Sequence, residues 1–239
     1  MKRSLLILLC TITSQLFAQN NNPVIPKSGS TLNSFIPKGW KIILQSSKGD
    51  LNKDGIADQA IVIENTDTAN FLKNEGFGAK KLNLNPRILL VLFKSNSGGY
   101  HLAAKNKNFI PSENDEETTC LSDPLLGEGG ITIEKGLLKI QYQYFLSCGS
   151  WYVTNTDYTF RFQNQKFEWI GYDEYSLHRS SGQQSITSIN FSTKRRSETT
   201  GGNEFNDKDN KPKTIWKKVN ISKLLNLETL TKEVIDQIL

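Results

Sequence analysis

The stretch LLKIQYQYFL, residues 137–146, puts Leu138, Ile140, Tyr142, Tyr144 and Leu146 at even positions, with Lys139, Gln141 and Gln143 between them. A period of two is the pattern of a strand that buries one face and wets the other. WYVTNTDYTFRF, residues 151–162, repeats it: Tyr152, Tyr158, Phe160 and Phe162 share one face, and Asn155, Asp157 and Arg161 share the other. Two alternating runs in close succession predict antiparallel neighbours, and so a mainly β chain. Downstream, Asn164 and Gln165 read as a tight turn into KFEWIGYDEYSLH, and QSITSINFSTKRRSETT continues the alternation. GGNEFNDKDNKPK, residues 201–213, reads as a long hairpin tip before TIWKKV. Upstream, WKIILQ, QAIVIE and YHLAAKN read as strands of one antiparallel sheet. RILLVLF joins them as a continuous apolar run, the signature of a strand covered on both sides. A polar segment at 106–130 separates the two strand-rich halves and reads as a long loop. The fold expected is an antiparallel meander, a sandwich or partly propeller-like pair of sheets, spanning residues 37–220. Leu225, Leu227, Leu230, Val234, Ile235 and Ile238 have largely helical spacing, which predicts a short C-terminal helix within 221–239.

The N-terminus has the layout of a secretory signal over residues 1–18: Lys2 and Arg3, an apolar run at Leu5 to Leu9, then Ala18 before a polar stretch. Residues 19–36 lack apolar periodicity and read as a flexible leader. No later segment nears the roughly 20 apolar residues of a membrane-spanning helix. The expected address is therefore periplasmic or extracellular, without a transmembrane anchor. The formal net charge is +5, and it becomes +3 once Lys2 and Arg3 are removed with the signal. So mild an excess, without a dense basic stripe, argues against a nucleic-acid partner. Beyond the signal the cysteines are Cys120 and Cys148, an even count that predicts one disulfide in an exported chain. His101 and His178 stand at no ligand spacing from them, which argues against zinc.

The stretch GDLNKDGIADQAIVIE, residues 49–64, carries oxygen donors at alternate positions. Calcium takes several hard oxygen ligands on a tight loop. Asp50, Asn52, Asp54 and Asp58 would supply side chains, Ile56 its carbonyl, and Gly55 the sharp turn. Ile61 stands where an EF-hand has its bidentate Glu, and the flanks are strand-like, so the loop is not an EF-hand. The plain alternative is a hairpin, for which Asp54-Gly55 is sufficient turn chemistry. Together with PRILLVLF, GGYHLAAKN and GSWYVTNTDYTFRF, the loop resembles the acidic loop-strand element of FG-GAP and VCBS-type secreted proteins. The resemblance implies a calcium-binding β protein of the bacterial envelope and brings no activity with it. A single acidic loop departs from the repeated loops of a complete propeller.

No catalytic constellation stands out. His178 with Asp173 or Glu174, and Ser180 or Ser181 beside it, lacks an elbow or oxyanion-hole motif. The acidic run Glu113 to Glu117 offers carboxylates for glycoside chemistry but reads more simply as solvated. The rings Trp151, Tyr152, Trp169, Tyr172 and Tyr175 are candidates for a ligand surface, with core packing as the alternative. The expectation is a calcium-stabilised binding protein for an envelope protein or glycan, with a cell-wall glycan hydrolase or enzyme inhibitor as the second reading.

Overall fold

The computed structural model describes residues 23–206 and 211–239, so the signal segment and the tip at 207–210 lie outside the described residues. One antiparallel sheet is built from β1 (Ser28–Gly29), β2 (Trp40–Gln45), β3 (Gln59–Asn65), β6 (Arg87–Lys94) and β7 (Tyr100–Asn106), in the order β1-β7-β6-β3-β2. Between β3 and β6 the chain forms a small hairpin, β4 (Phe71–Lys73) with β5 (Lys81–Asn83). The second large sheet is a meander in strict chain order: β8 (Gly130–Glu134), β9 (Leu137–Phe145), β10 (Tyr152–Gln163), β11 (Lys166–His178), β12 (Gln183–Asn190), β13 (Arg195–Asn203) and β14 (Lys213–Lys218). This sheet curves into a half-barrel. The expected antiparallel β architecture with a short C-terminal helix is what the chain adopts.

The sheets pack face to face. Ala60, Val62, Leu89, Val91 and Ala104 of the first meet Ile131, Leu138, Ile140, Phe160 and Trp169 of the second in one core. Ile61, Ile63, Ile88, Leu90 and Leu92 point the other way, into a smaller core closed by Ile25 and Phe35. This explains why RILLVLF has no polar position after Arg87: successive side chains enter two different cores.

The expectation of a flexible leader fails from residue 23 onward. Phe35 is completely buried, and Ser28–Gly29 pairs with the edge of β7. The cause is the second apolar face of β3 and β6, which needs a cover. Burying one Phe there contributes roughly 1.5–3 kcal/mol. The apolar residues that do the covering are too sparse to show a period in the sequence.

The expected short helix forms at the end of the C-terminal segment. Helix α1 covers only Lys232–Asp236, started by the Thr231 hydroxyl accepting from the Val234 amide. Before it, Asn226 bridges Glu168 in extended conformation, and the Leu227 and Leu230 carbonyls accept from Asn106 Nδ2. Leu227, Leu230 and Ile235 are buried in the main core, so tertiary contacts decide the backbone where helical spacing alone did not.

Candidate functional site

The acidic loop is a self-satisfied turn. Asp50 Oδ1 accepts from the Lys53 amide at 2.6 Å and Oδ2 from the Gly55 amide at 2.9 Å. Asn52 Oδ1 accepts from the Asp54 amide at 3.1 Å, and Asp54 Oδ1 from the Ile56 amide at 2.8 Å. Backbone N–H groups thus offset the mutual repulsion of the clustered carboxylates. The lone pairs left on these exposed side chains still suit a hard cation. Asp58 does not join them. It is fully buried, with Oδ2 accepting from the Leu51 amide at 2.8 Å and Oδ1 from the Lys94 amide at 3.0 Å. Burial raises its pKa, and those two amides work against the rise. Asp58 is a latch between the loop and the end of β6. Among the described residues no three His, Cys, Asp or Glu side chains converge as a metal-holding group.

The larger concavity lies elsewhere, on the inner face of the curved sheet. There β9, β10 and β11 stand in register as Leu138–Phe160–Trp169, Ile140–Tyr158–Tyr172, Tyr142–Thr156–Glu174 and Tyr144–Thr154–Ser176. The first rung is core. The other three, Ile140 and Ser176 apart, line a cleft of about 920 Å³, within the range typical of small-molecule sites. One wall is the 106–130 loop, through Phe109, Asp115, Glu116 and Glu117, and the other is α1, through Lys232, Ile235 and Asp236.

The tyrosines form a contiguous set, with ring centroids 5.7 Å apart for Tyr142 and Tyr158 and 5.2 Å for Tyr158 and Tyr172. Tyr142 donates to the Phe109 carbonyl at 3.0 Å and Tyr172 to Glu174 Oε2 at 2.6 Å. Burial raises the pKa of all four ring hydroxyls, that of Tyr144 to about 12, so they remain neutral donors at ordinary pH. Thr156 is only 4% exposed and its hydroxyl has no hydrogen-bond partner. The Tyr158 hydroxyl lies close enough for Thr156 to lower its pKa slightly by hydrogen bonding to the ionised ring, although the neutral pair does not meet hydrogen-bond geometry.

The loop wall is held at both ends. Cys120 and Cys148 are joined, as the sequence predicts, with 5.5 Å between their Cα atoms. Arg87, 1% exposed at the start of β6, pairs with Glu64 at 2.9 Å and Asp123 at 2.6 Å. Burial by itself would depress its guanidinium, but the Asp123 and Glu64 carboxylates more than offset that and hold its pKa above the ordinary value. Asn83 adds bonds to Glu113 Oε2 at 2.9 Å and, through its amide, to Asn114 Oδ1 at 2.8 Å. Sequence reasoning missed this network, although an arginine opening an otherwise apolar strand is the signal that a buried partner awaits it.

The five rings proposed as a ligand surface do not form one. Trp169 and Tyr172 are 1% and 3% exposed. Strict alternation separates them, but Ile170 is an extra residue opposite the Thr159–Phe160 step of β10, and this bulge returns Tyr172 to the face of Trp169. Trp151 and Tyr152 stay exposed at the start of β10, where Tyr152 packs edge-on against His178. Tyr175 lies opposite Asn155 and Ile186 on the outer face. Of the five, only Tyr172 lines the cleft. The imagined base and acid are likewise apart: Asp173 and Glu174 occupy opposite faces of β11, and His178 binds Ser181 Oγ at 2.8 Å outside the cleft. Asp115, Glu116 and Glu117 of the acidic run do reach it.

In comparisons with protein-family models, curated proteins and solved structures, none matches this chain. The resemblance to FG-GAP and VCBS-type proteins therefore rests on the acidic loop and its flanking strands. Among the described residues no helix is long and apolar enough to cross a membrane.

Proposed function

We propose that this chain is an exported binding protein that seats its ligand in the tyrosine-lined cleft of the half-barrel. The observation that carries the reading is Thr156, a buried hydroxyl without a partner at the floor of an open concavity of about 920 Å³. Buried polar groups are nearly always paired, so an unpaired one lining a concavity supports a ligand or a bound water there as its partner. The disulfide and the signal-like N-terminus support an address outside the cytoplasm. The ligand expected there is an envelope glycan or protein segment. Calcium, implied by the resemblance, is given a structural place on Asp50, Asn52, Asp54 and the Ile56 carbonyl, away from the cleft. Asp58 is a latch in this reading and not a ligand.

The test is a thermal-shift and intrinsic-fluorescence screen of the folded chain against cell-wall fragments and small metabolites. A true ligand should raise the melting temperature and perturb tyrosine or Trp169 emission, and Tyr144→Ala and Thr156→Val should each weaken its binding. A ligand indifferent to both changes would place binding elsewhere. Glycan hydrolysis is the second reading, favoured by Asp115, Glu116 and Glu117 facing the same cleft as Glu174. Release of soluble sugar from peptidoglycan, abolished by Glu174→Gln, would put that reading first.

A further inference from the structure

The chain has a formal net charge of +5, yet the cleft is rimmed by Asp115, Glu116, Glu117, Glu174 and Asp236 against the single ammonium of Lys232. Carboxylates gathered in one concavity of a basic protein focus a negative potential there. Acids alone would describe only a solvated wall. A second feature is independent of charge: on the rung Tyr142–Thr156–Glu174, the unpartnered Thr156 hydroxyl stands directly between a ring and a carboxylate.

Resting on the cleft-binding reading, we propose that the ligand carries an ammonium group, seated on Glu174 and Thr156 and faced by the tyrosine rings. Tyr172 pins Oε2 of Glu174, and Oε1 has no protein donor among the described residues. Oε1 and the Thr156 hydroxyl together offer two acceptors to N–H donors. The neighbouring rings of Tyr142, Tyr158 and Tyr172 are kept neutral by burial, and their electron-rich faces suit an organic cation. Phosphate or sulfate ligands would meet repulsion from every carboxylate of the rim. A bare dication would need convergent ligands, and among the described residues none converge. The ammonium belongs either to a small alkylamine or to an unacetylated amino sugar.

Calorimetry on the full folded chain separates these sources with two matched pairs: butylamine against butan-1-ol, and a glucosamine trimer against its N-acetylated counterpart. The charged member of at least one pair should bind about tenfold more tightly than its neutral partner, the scale of one charge-assisted hydrogen bond. Glu174→Gln should remove that preference. Because the change disturbs Tyr172, the paired variant Glu116→Gln with Glu117→Gln, on the exposed wall, serves as a second probe. It should weaken the cation and flatten the salt dependence without altering the fold. Equal affinities within both pairs would overturn the inference. Tighter binding of the N-acetylated trimer, abolished by Thr156→Val, would overturn the ammonium and leave the cleft reading intact. Absence of binding by all four probes would overturn the inference, while any ligand from the wider screen that depends on Tyr144 and Thr156 would preserve the cleft.

Discussion

Replacing Arg87 by Met should destabilise the chain and loosen one wall of the cleft together. The guanidinium makes bonds to Glu64 Oε2 at 2.9 Å and to Asp123 at 2.9 and 2.6 Å, all among buried or nearly buried atoms. Removing one member of such a buried arrangement leaves charges uncompensated, at a cost of about 3–5 kcal/mol. The structure argues for the lower end. Glu64 would keep Lys41 at 3.1 Å, and Asp123 would keep the amides of Leu125 and Leu126 at 3.0 and 3.2 Å. For a chain of this size about 3 kcal/mol corresponds to a fall of roughly 6–12 °C in melting temperature. Urea unfolding followed by two probes measures the loss, and hydrogen exchange shows where it acts. Protection should fall first at 107–124, the segment that Arg87 anchors through Asp123 and the Pro111 carbonyl. A loss under about 1 kcal/mol, or exchange unchanged in that segment, would refute the view that this ion network fixes the cleft wall. Restoring charge balance with Glu64→Gln and Asp123→Asn in the Arg87→Met background should recover part of the stability, because the stranded carboxylates are the source of the cost.

Reducing Cys120–Cys148, which closes a separation of 28 residues, should cost about 3.5 kcal/mol by the chain-entropy relation. Both thiols alkylating in native, unreduced protein would show the bond absent. Alkaline pH should unfold the chain from the cleft outward: an unfolded tyrosine ionises near pH 10, whereas burial holds Tyr144 neutral to about 12. Stability is therefore complete below the unfolded value and falls as pH rises through the window, by roughly 3 kcal/mol for this group. Tyrosinate absorbance should then appear together with loss of near-ultraviolet dichroism, and smooth ionisation of the native protein would contradict it. Calcium at about a hundred times its dissociation constant should stabilise by about 2.7 kcal/mol, and Asp54→Ala should abolish the effect. A melting temperature indifferent to calcium and chelator would leave residues 49–58 as a hydrogen-bonded turn.

What was legible in the sequence was whatever depends on one strand at a time. Leu138 to Leu146 and Tyr152 to Phe162 declare their faces through a period of two, and RILLVLF declares burial on both sides. What depends on pairing was not legible. The bulge at Ile170 carries no marker such as glycine at the extra position, so alternation carried through it places Tyr172 on the wrong face. The packing of Ile25 and Phe35 answers a need of β3 and β6 that their own neighbours do not display. The acidic loop drew attention because its donors are close in sequence. The residues that open the cleft are close only once β9, β10 and β11 are in register.

That register shows why a cleft exists where a sealed sandwich was equally available. Along the inner face the rungs run from Leu138–Phe160–Trp169, at most 1% exposed, through Ile140–Tyr158–Tyr172, to Tyr142–Thr156–Glu174 and Tyr144–Thr154–Ser176. Polarity rises in the same direction on all three strands, which core packing alone does not demand. Phenylalanine at 142 and 158 with valine at 156 would close the face against α1 and the 106–130 loop with no stranded hydroxyl. The chain instead keeps tyrosines whose oxygens must be placed, a threonine with no partner, and a carboxylate fixed by Tyr172. Tyr142, Tyr172 and the carboxylate find partners within the chain, and the threonine hydroxyl is the group that lowers stability relative to an apolar core while it stays unpaired. The two anchors of the loop, the disulfide and the Arg87 network, then fix the wall that bounds this polar end of the face.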